Sequence, residues 1–321
     1  MKATQLDYVL PAELIAQSPA ERRDASRLLV FDRRSGDVRH RSFAELPQEI
    51  EPYLTVVNDT RVVPARLHVR RETGGEVEVL LVERLEDERW EALARPSRRL
   101  RVGERLEPRG TVSQGSSVEL LERLGGGRWL VRLEGEPAGE LPLPPYVHER
   151  SADPERYQTV YARDPGSAAA PTAGLHFTTE LLAGLDHETI TLHVGLDTFR
   201  PLATELVEEH PIHGERYRVA ETAWARIERA ERVLAVGTTT TRVLETLARG
   251  GPLEGRTDLF ITPGFEFRRV DSLLTNFHLP RTTLLALVMA FAGVEETREL
   301  YDLAIRERYR FYSFGDAMLV L

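Results

Sequence analysis

The 321-residue chain contains no cysteine. That excludes thiolate nucleophiles, disulfides, cysteine-ligated zinc and cysteine-held iron–sulfur clusters. Lysine is almost as scarce, with Lys2 the sole lysine among 42 basic residues. A Schiff-base mechanism therefore has no credible residue, because Lys2 is poorly placed for one. Proton transfer falls to His, Asp, Glu, Tyr or the substrate itself. Long apolar runs are missing too. The longest, Leu284 to Gly293, is about half the roughly 20 residues that cross a bilayer as a helix. The N-terminus, with Asp7, Glu13 and no apolar segment, does not look like a secretion signal. The expectation is a cytoplasmic protein with no membrane association.

With 41% hydrophobic residues and mixed charge, the chain can build one large domain or two. A net charge of −9 does not suggest a nucleic-acid binder at first sight, since phosphate contacts need positive charge. The average conceals local patches. Arg95, Arg98, Arg99 and Arg101 share one segment without an acidic residue, and Arg66, Arg70 and Arg71 lie just upstream. Taken alone, each patch reads first as a solvated charged face.

From about Leu67 to Leu141 the chain alternates apolar and polar residues in short runs: LHVRR, EVEVLLVER, RWEALAR, SVELLER and RWLVRLEG, several of them set off by glycine-rich turns. This period-two texture predicts antiparallel strands in a small barrel or sandwich. On either side, ETAWARIERAE (221 to 231) and residues 240 to 249 carry helical spacing. VLAV (233 to 236) and TDLFI (257 to 261) read as strands, and LLVFD with DVRHR as a hairpin. The architecture expected is an α/β main domain from residues 1–64 and 150–321, with an all-β domain inserted at 65–149 and LPLPPYV (141 to 147) as the return linker.

Several stretches carry candidate chemistry. Gly166 to Thr172 uses only Gly, Ser, Ala, Pro and Thr, and Gly174 and His176 follow closely. Such a backbone comes very close to something, either a ligand or another part of the protein. In VLAVGTTTTRVLE, a strand runs into Gly237, and the Thr238 to Thr241 hydroxyls can cap the following helix. Its free N–H groups then form an anion site, or simply an ordinary capped turn. In LLTNFHLPRTTLL, Asn276 and His278 alternate on a strand and should point the same way, ahead of a helix capped by Thr282 or Thr283. If these two strands are neighbours, Thr238, Thr239, Asn276 and His278 line one rim, where open α/β sheets bind ligands. TLHVGLDTFRP brings His193, Gly195 and Arg200, and NDTRVVPARL brings Asp59 and Arg61 in a turn at a domain boundary. Glu209, His210 and His213 lack a helical frame around Pro211 and Gly214, so no metal site is expected.

In order, NDTRVVPARL, LPPYV, ERYQTVYA, PTAGLHFT, TLHVGLDTFRP, AVGTTTTRVLE, TDLFITPGF, TNFHLPRTTLL and YRFYSFGDAML resemble the motif series of the bacterial S-adenosylmethionine:tRNA ribosyltransferase-isomerases, and the likeness runs from QSPAERRDASRLLV to the last residue. The resemblance implies an α/β/α layered domain with an inserted β-barrel and a role in queuosine biosynthesis. It implies transfer of the ribosyl part of S-adenosylmethionine onto 7-aminomethyl-7-deazaguanine at the tRNA wobble position. Isomerisation to epoxyqueuosine-tRNA follows, with release of adenine and methionine. S-adenosylmethionine is then a consumed cosubstrate, and no cofactor or metal is needed.

For that chemistry His176 and His278 are the expected proton-transfer groups, with Asp59 next. Thr238, Thr239 and Asn276 can hold the methionine or ribose portion, Arg61 and Arg200 a carboxylate or phosphate. Thr172, Gly174, Gly195 and Gly237 let the backbone approach. Tyr146, Tyr157 and Tyr161 either stack on anticodon bases or lie in the linker and interface. A monomer is expected. Against the family pattern, Asp197 stands where glycine is expected, Ile212 for methionine, Gly214 for serine, and Thr240-Thr241 for a Ser-Val pair. Two rival readings are a small-nucleotide hydrolase or transferase that uses no RNA, and a non-catalytic RNA-binding protein.

Overall fold

Four short runs, His187–Leu192, Leu54–Asn58, Val233–Val236 and Ser272–Asn276, lie side by side in that order as parallel strands. Three of them, 54–58, 233–236 and 272–276, are buried at every residue. Parallel strands covered on both faces need this near-continuous apolar character rather than alternation. The computed structural model describes residues 1–109, 117–148, 153–195, 202, 204–212 and 214–321. Ala317–Val320 pairs antiparallel with 272–276, Arg27–Phe31 runs parallel to it, and Val38–Ser42 closes the hairpin at that edge. Glu215–Arg218 and Glu254–Thr257 extend the opposite edge, giving nine strands.

Helices Glu221–Arg229, Thr238–Leu247, Thr283–Ala292 and Val294–Arg306 complete the main α/β unit. The Thr282 side chain caps the third of these, accepting from Leu285 N–H. The edge strand expected at 257 to 261 lies instead at Glu254–Thr257. Beyond Thr257 the chain leaves the ladder, and the Arg242 guanidinium takes the Thr257 and Leu259 carbonyls, each at 3.0 Å. Periodicity could not foresee this, because a side chain 15 and 17 residues upstream replaces the strand partner.

The same helix fixes the entry to strand 272–276. Glu245, wholly buried, accepts the backbone N–H groups of Arg268 and Arg269 at 2.9 Å and of Val270 at 3.0 Å. It also pairs with Arg249. A buried carboxylate persists only when its lone pairs are filled in this way.

The all-β region is a closed six-stranded antiparallel barrel of Arg128–Leu133, Arg89–Arg95, Glu76–Arg84, Arg66–Arg71, Arg105–Pro108 and Val118–Gly125. The four-residue strand 105–108, ending in proline, was not legible as a strand. Alternation sends Val77, Val79, Leu81, Trp90, Ala92, Leu120, Trp129 and Val131 into one apolar core. The chain divides into two compact units: 1–60, 144–163 and 171–321 form one, and 61–143 with 164–170 the other. Among the described residues no helix is long and apolar enough to cross a membrane.

Candidate active site

The chain passes from strand 54–58 to 187–192 on one side, then returns past it to 233–236 and on to 272–276 on the other. Strands 54–58 and 233–236 are therefore neighbours whose onward connections leave in opposite directions. In open α/β sheets the crevice beyond the carboxyl ends of such a pair is where ligands bind. The residues at that edge are Asn58, Asp59 and Thr60, then Gly237, Thr238 and Thr239, flanked by His193 and Asn276 at the ends of the outer two strands.

Gly237 turns the chain with φ of +92°, a conformation that disfavours any side chain. The threonines after it do not cap the helix. Thr240 and Thr241 hydroxyls bond back to the Val236 and Gly237 carbonyls at 2.7 and 3.1 Å. Position 237 supplies no side-chain cap. The threonine side chains prefer the i−4 carbonyl once they are within the helix, so the amides of the first turn keep their donor capacity at the crevice.

Asp59 is buried to 2% exposure. One carboxylate oxygen accepts the Thr191 hydroxyl at 2.6 Å and the other the Arg163 guanidinium at 2.7 Å. Asn58 beside it bonds both the N–H and the carbonyl of Leu192, at 3.0 and 2.9 Å, which ties the two strand ends together. Thr60 and His193 are joined at 2.9 Å. Gly195 N–H donates to Glu215 at 3.0 Å, and Glu215 in turn pairs with Arg242. Arg61 belongs to the barrel unit. Arg200, Asp197 and His213 lie outside the described residues.

His176 and Asn276 meet. The buried Asn276 amide lies 3.1 Å from His176 Nε2 and 3.4 Å from the Asp316 carbonyl, while its Oδ1 has no partner. With the amide oriented to donate, the imidazole proton sits on Nδ1. The ring stacks on Phe43 at 5.0 Å between centroids. Burial, and then the positive charges of Arg310 and Arg23, push its pKa down to about 3. A cavity of about 10 Å³ beside it is lined by Arg23, Ser26, Arg156, Ser313 and Phe314, room for roughly one water. These last residues were not singled out from sequence. They lie in QSPAERRDASR, ERYQTV and YRFYSFGDAML, where no spacing signals chemistry.

His278 is not at that pair. Strand 272–276 ends before it, and its Nε2 meets the Thr275 hydroxyl at 2.7 Å. Thr275 and Asn276 alternate across the strand, so the two side chains expected to share a direction are bound to opposite faces. Its backbone N–H donates to the Tyr301 hydroxyl at 3.0 Å, its carbonyl accepts from Tyr8, and burial pushes its pKa down to about 3.

Just behind the small-residue stretch, Gly174 is packed tightly against its own chain. An added Cβ at Gly174 would stand 1.9 Å from the Tyr161 hydroxyl and 2.9 Å from Thr159 Cγ2. The Tyr161 hydroxyl is buried and has no hydrogen-bond partner. Ala173, one residue earlier, faces Gly237, where an added Cβ would come to 3.8 Å. Thr172 opens this 3-10 turn. Gly174→Ala is therefore expected to cost about 1–3 kcal/mol in urea unfolding by overpacking. Tyr161→Phe alone should be neutral or stabilising and should recover part of the loss in the double variant. Equal loss in single and double variants would show that the hydroxyl is not the obstacle.

The three tyrosines pack against other aromatic rings to different degrees. Tyr157 is wholly buried, edge-on to Phe314. Tyr146 packs 4.6 Å from Tyr312 and bonds Ser313, and Tyr161 stands edge-on to Phe177. Tyr157 belongs to the core, while Tyr146 and Tyr161 are half-buried at its margin. Among the described residues no group of three or more His, Asp or Glu is placed to hold a metal.

Residues 3–320 match the family model described as queuosine biosynthesis protein. Over its full length the chain is 54% identical to the S-adenosylmethionine:tRNA ribosyltransferase-isomerase of Rubrobacter xylanophilus, of which 98% is covered. It is 50% identical to that of Carboxydothermus hydrogenoformans, covered completely. The crystal structure of S-adenosylmethionine tRNA ribosyltransferase from Thermotoga maritima is similar over 99% of this chain and 100% of that one, at 39% identity and a TM-score of 0.56. A mixed sheet with a polar carboxyl edge, joined to a closed barrel and matched end to end by transferase-isomerases, defines an enzyme of that class. The chain belongs to the queuosine biosynthesis protein family, that of the S-adenosylmethionine:tRNA ribosyltransferase-isomerases.

Proposed function

We propose that this enzyme moves the ribosyl moiety of S-adenosylmethionine onto 7-aminomethyl-7-deazaguanine at the wobble position of tRNA and isomerises it. The products are epoxyqueuosine-tRNA, adenine and methionine. The observation that carries the reading is the His176–Asn276 pair at the carboxyl edge of the sheet, in a chain matched along its whole length by relatives of that name.

The sulfonium acidifies the ribose C5′–H, and neutral His176 takes that proton on Nε2 after cosubstrate entry turns the Asn276 amide away from that nitrogen. Burial that makes the imidazole a weak base makes its protonated form a strong acid, so the imidazolium passes the proton to departing adenine and returns to neutrality. The neutral amine of the tRNA base then attacks the activated ribosyl carbon and sheds its extra proton to water, and the carbon–sulfur bond breaks as an oxygen of the sugar closes the epoxide, so that methionine leaves with the sulfur electron pair. First-turn amides at Thr238 and Thr239 receive the methionine carboxylate or ribose hydroxyls. His278 and Asp59 position the strand ends around them. The cavity beside His176 is far below the several hundred Å³ of a nucleotide site, so cosubstrate entry moves lining side chains such as Arg156 and Phe314. S-adenosylmethionine is consumed, no cofactor takes part, and the enzyme works as a cytoplasmic monomer.

Mass spectrometry of tRNA bearing 7-aminomethyl-7-deazaguanine, after incubation with enzyme and S-adenosylmethionine, tests this. Epoxyqueuosine should form with one adenine per modified tRNA. Adenine release that proceeds equally without tRNA would replace this reading with a small-nucleotide enzyme.

A further inference from the structure

The barrel is rich in arginine, and many of these arginines are neutralised where they stand. Arg71 pairs with Glu104, Arg105 with Glu107 and Glu134, Arg109 with Glu76, Arg128 with Glu91, and Arg132 with Glu119. Arg70 is an exception among the described residues, and so is the cluster of four, Arg95, Arg98, Arg99 and Arg101. All four are exposed, and no hydrogen bond or ion pair engages any of their guanidinium groups among the described residues. The carboxylate opposite Arg95 in the sheet, Glu78, faces Arg66 instead. Glu104, beside Arg101, is taken by Arg71 and by the Arg101 backbone N–H.

The segment carrying them is held firmly from beneath. Leu100 is buried in the barrel core. Arg71 donates to the Arg99 carbonyl at 2.9 Å and Arg123 to the Leu100 carbonyl at 2.7 Å. Trp129 Nε1 donates to Ser97 Oγ at 2.9 Å, and Arg123 lies over the Trp129 ring at 4.8 Å. Inward carbonyls satisfied by fixed donors leave the four guanidinium groups directed to solvent on an ordered frame. Four guanidinium groups gathered this closely repel one another, a cost that a polyanion relieves.

We infer that the Arg95–Arg101 segment is a phosphate-binding surface that grips the backbone of the tRNA substrate. Guanidinium forks match phosphate oxygens bidentately, and contacts of this kind fix register without reading sequence. The inference rests on tRNA being the substrate.

The test compares wild type with Arg98→Ala/Arg99→Ala/Arg101→Ala and with a control of equal net charge, Arg34→Ala/Arg229→Ala/Arg306→Ala. Binding of modified tRNA is followed by fluorescence anisotropy across a salt series, alongside adenine release at saturating tRNA. The expected result is about tenfold weaker tRNA binding in the barrel variant, with the slope of log affinity against log salt reduced by roughly 2–3. Its kcat and its KM for S-adenosylmethionine should match wild type, and the control should bind as wild type does. Unchanged affinity and salt slope, or equal weakening in the control, would overturn the inference. Wild type that binds tRNA but releases no adenine would instead overturn the functional reading beneath it.

Discussion

His176→Ala is expected to lower single-turnover adenine release by about 10²- to 10⁴-fold while tRNA and S-adenosylmethionine still bind. The ring is the one imidazole placed against Asn276, and its partners are ring stacking and a single amide, so its removal spares the tRNA-binding surfaces. A purely structural role would also lose activity, but through unfolding. His176→Gln separates the two, since glutamine can fill the space and bond Asn276 yet cannot shuttle a proton. It should fold like wild type and remain as inactive as alanine. Asn276→Ala removes the group that selects the tautomer and should reduce kcat more than it raises KM. A glutamine variant with activity within about threefold of wild type would remove His176 from proton transfer, because a positioned acid or base contributes at least about 10²-fold.

Acid should destabilise this protein more steeply than its carboxylates alone would cause. Burial pushes His176 and His278 down to about 3 from an ordinary value near 6.5. The folded values are depressed, so both rings contribute stability that is fully present above pH 6.5 and is lost as pH falls toward 3. In that window the unfolded chain binds two protons that the folded chain refuses. Each ring then contributes a slope of about 1.4 kcal/mol per pH unit. Between pH 7.5 and 5.5 the pair should remove about 3 kcal/mol of unfolding free energy. Urea unfolding at the two pH values, for wild type and for His176→Gln/His278→Gln, reads this directly. The double variant should show the smaller difference, and an equal difference would mean that these imidazoles are solvated or protonated in the folded chain.

Much of the fold was legible because its signals are local. Alternation in EVEVLLVER and RWEALAR reported barrel strands whose one face fills a core. The four-residue strand 105–108 was not, since four residues cannot show a period. The 257–261 strand was misread because TDLFI has the composition of a strand, while its carbonyls are committed to Arg242. The rim was legible in outline: both candidate strands read from VLAV and LLTNF proved to be neighbours. The direction of His278 was not, because the strand stops at Asn276.

By itself the sequence determined what the chemistry must do without, namely thiols and a usable lysine. It also determined where strands and helices form and which long motifs tie the chain to its family, because these depend on composition and near neighbours. Only the tertiary structure decided that His176 meets Asn276 across 100 positions. It alone showed Asp59 filled by Thr191 and Arg163, Gly174 packed against the Tyr161 hydroxyl, and the exposed Arg95, Arg98, Arg99 and Arg101 without partners among the described residues. Desolvation, hydrogen-bond partners and ion pairing are set by groups that the fold gathers from distant parts of the chain, and they control which of its ionisable side chains can act.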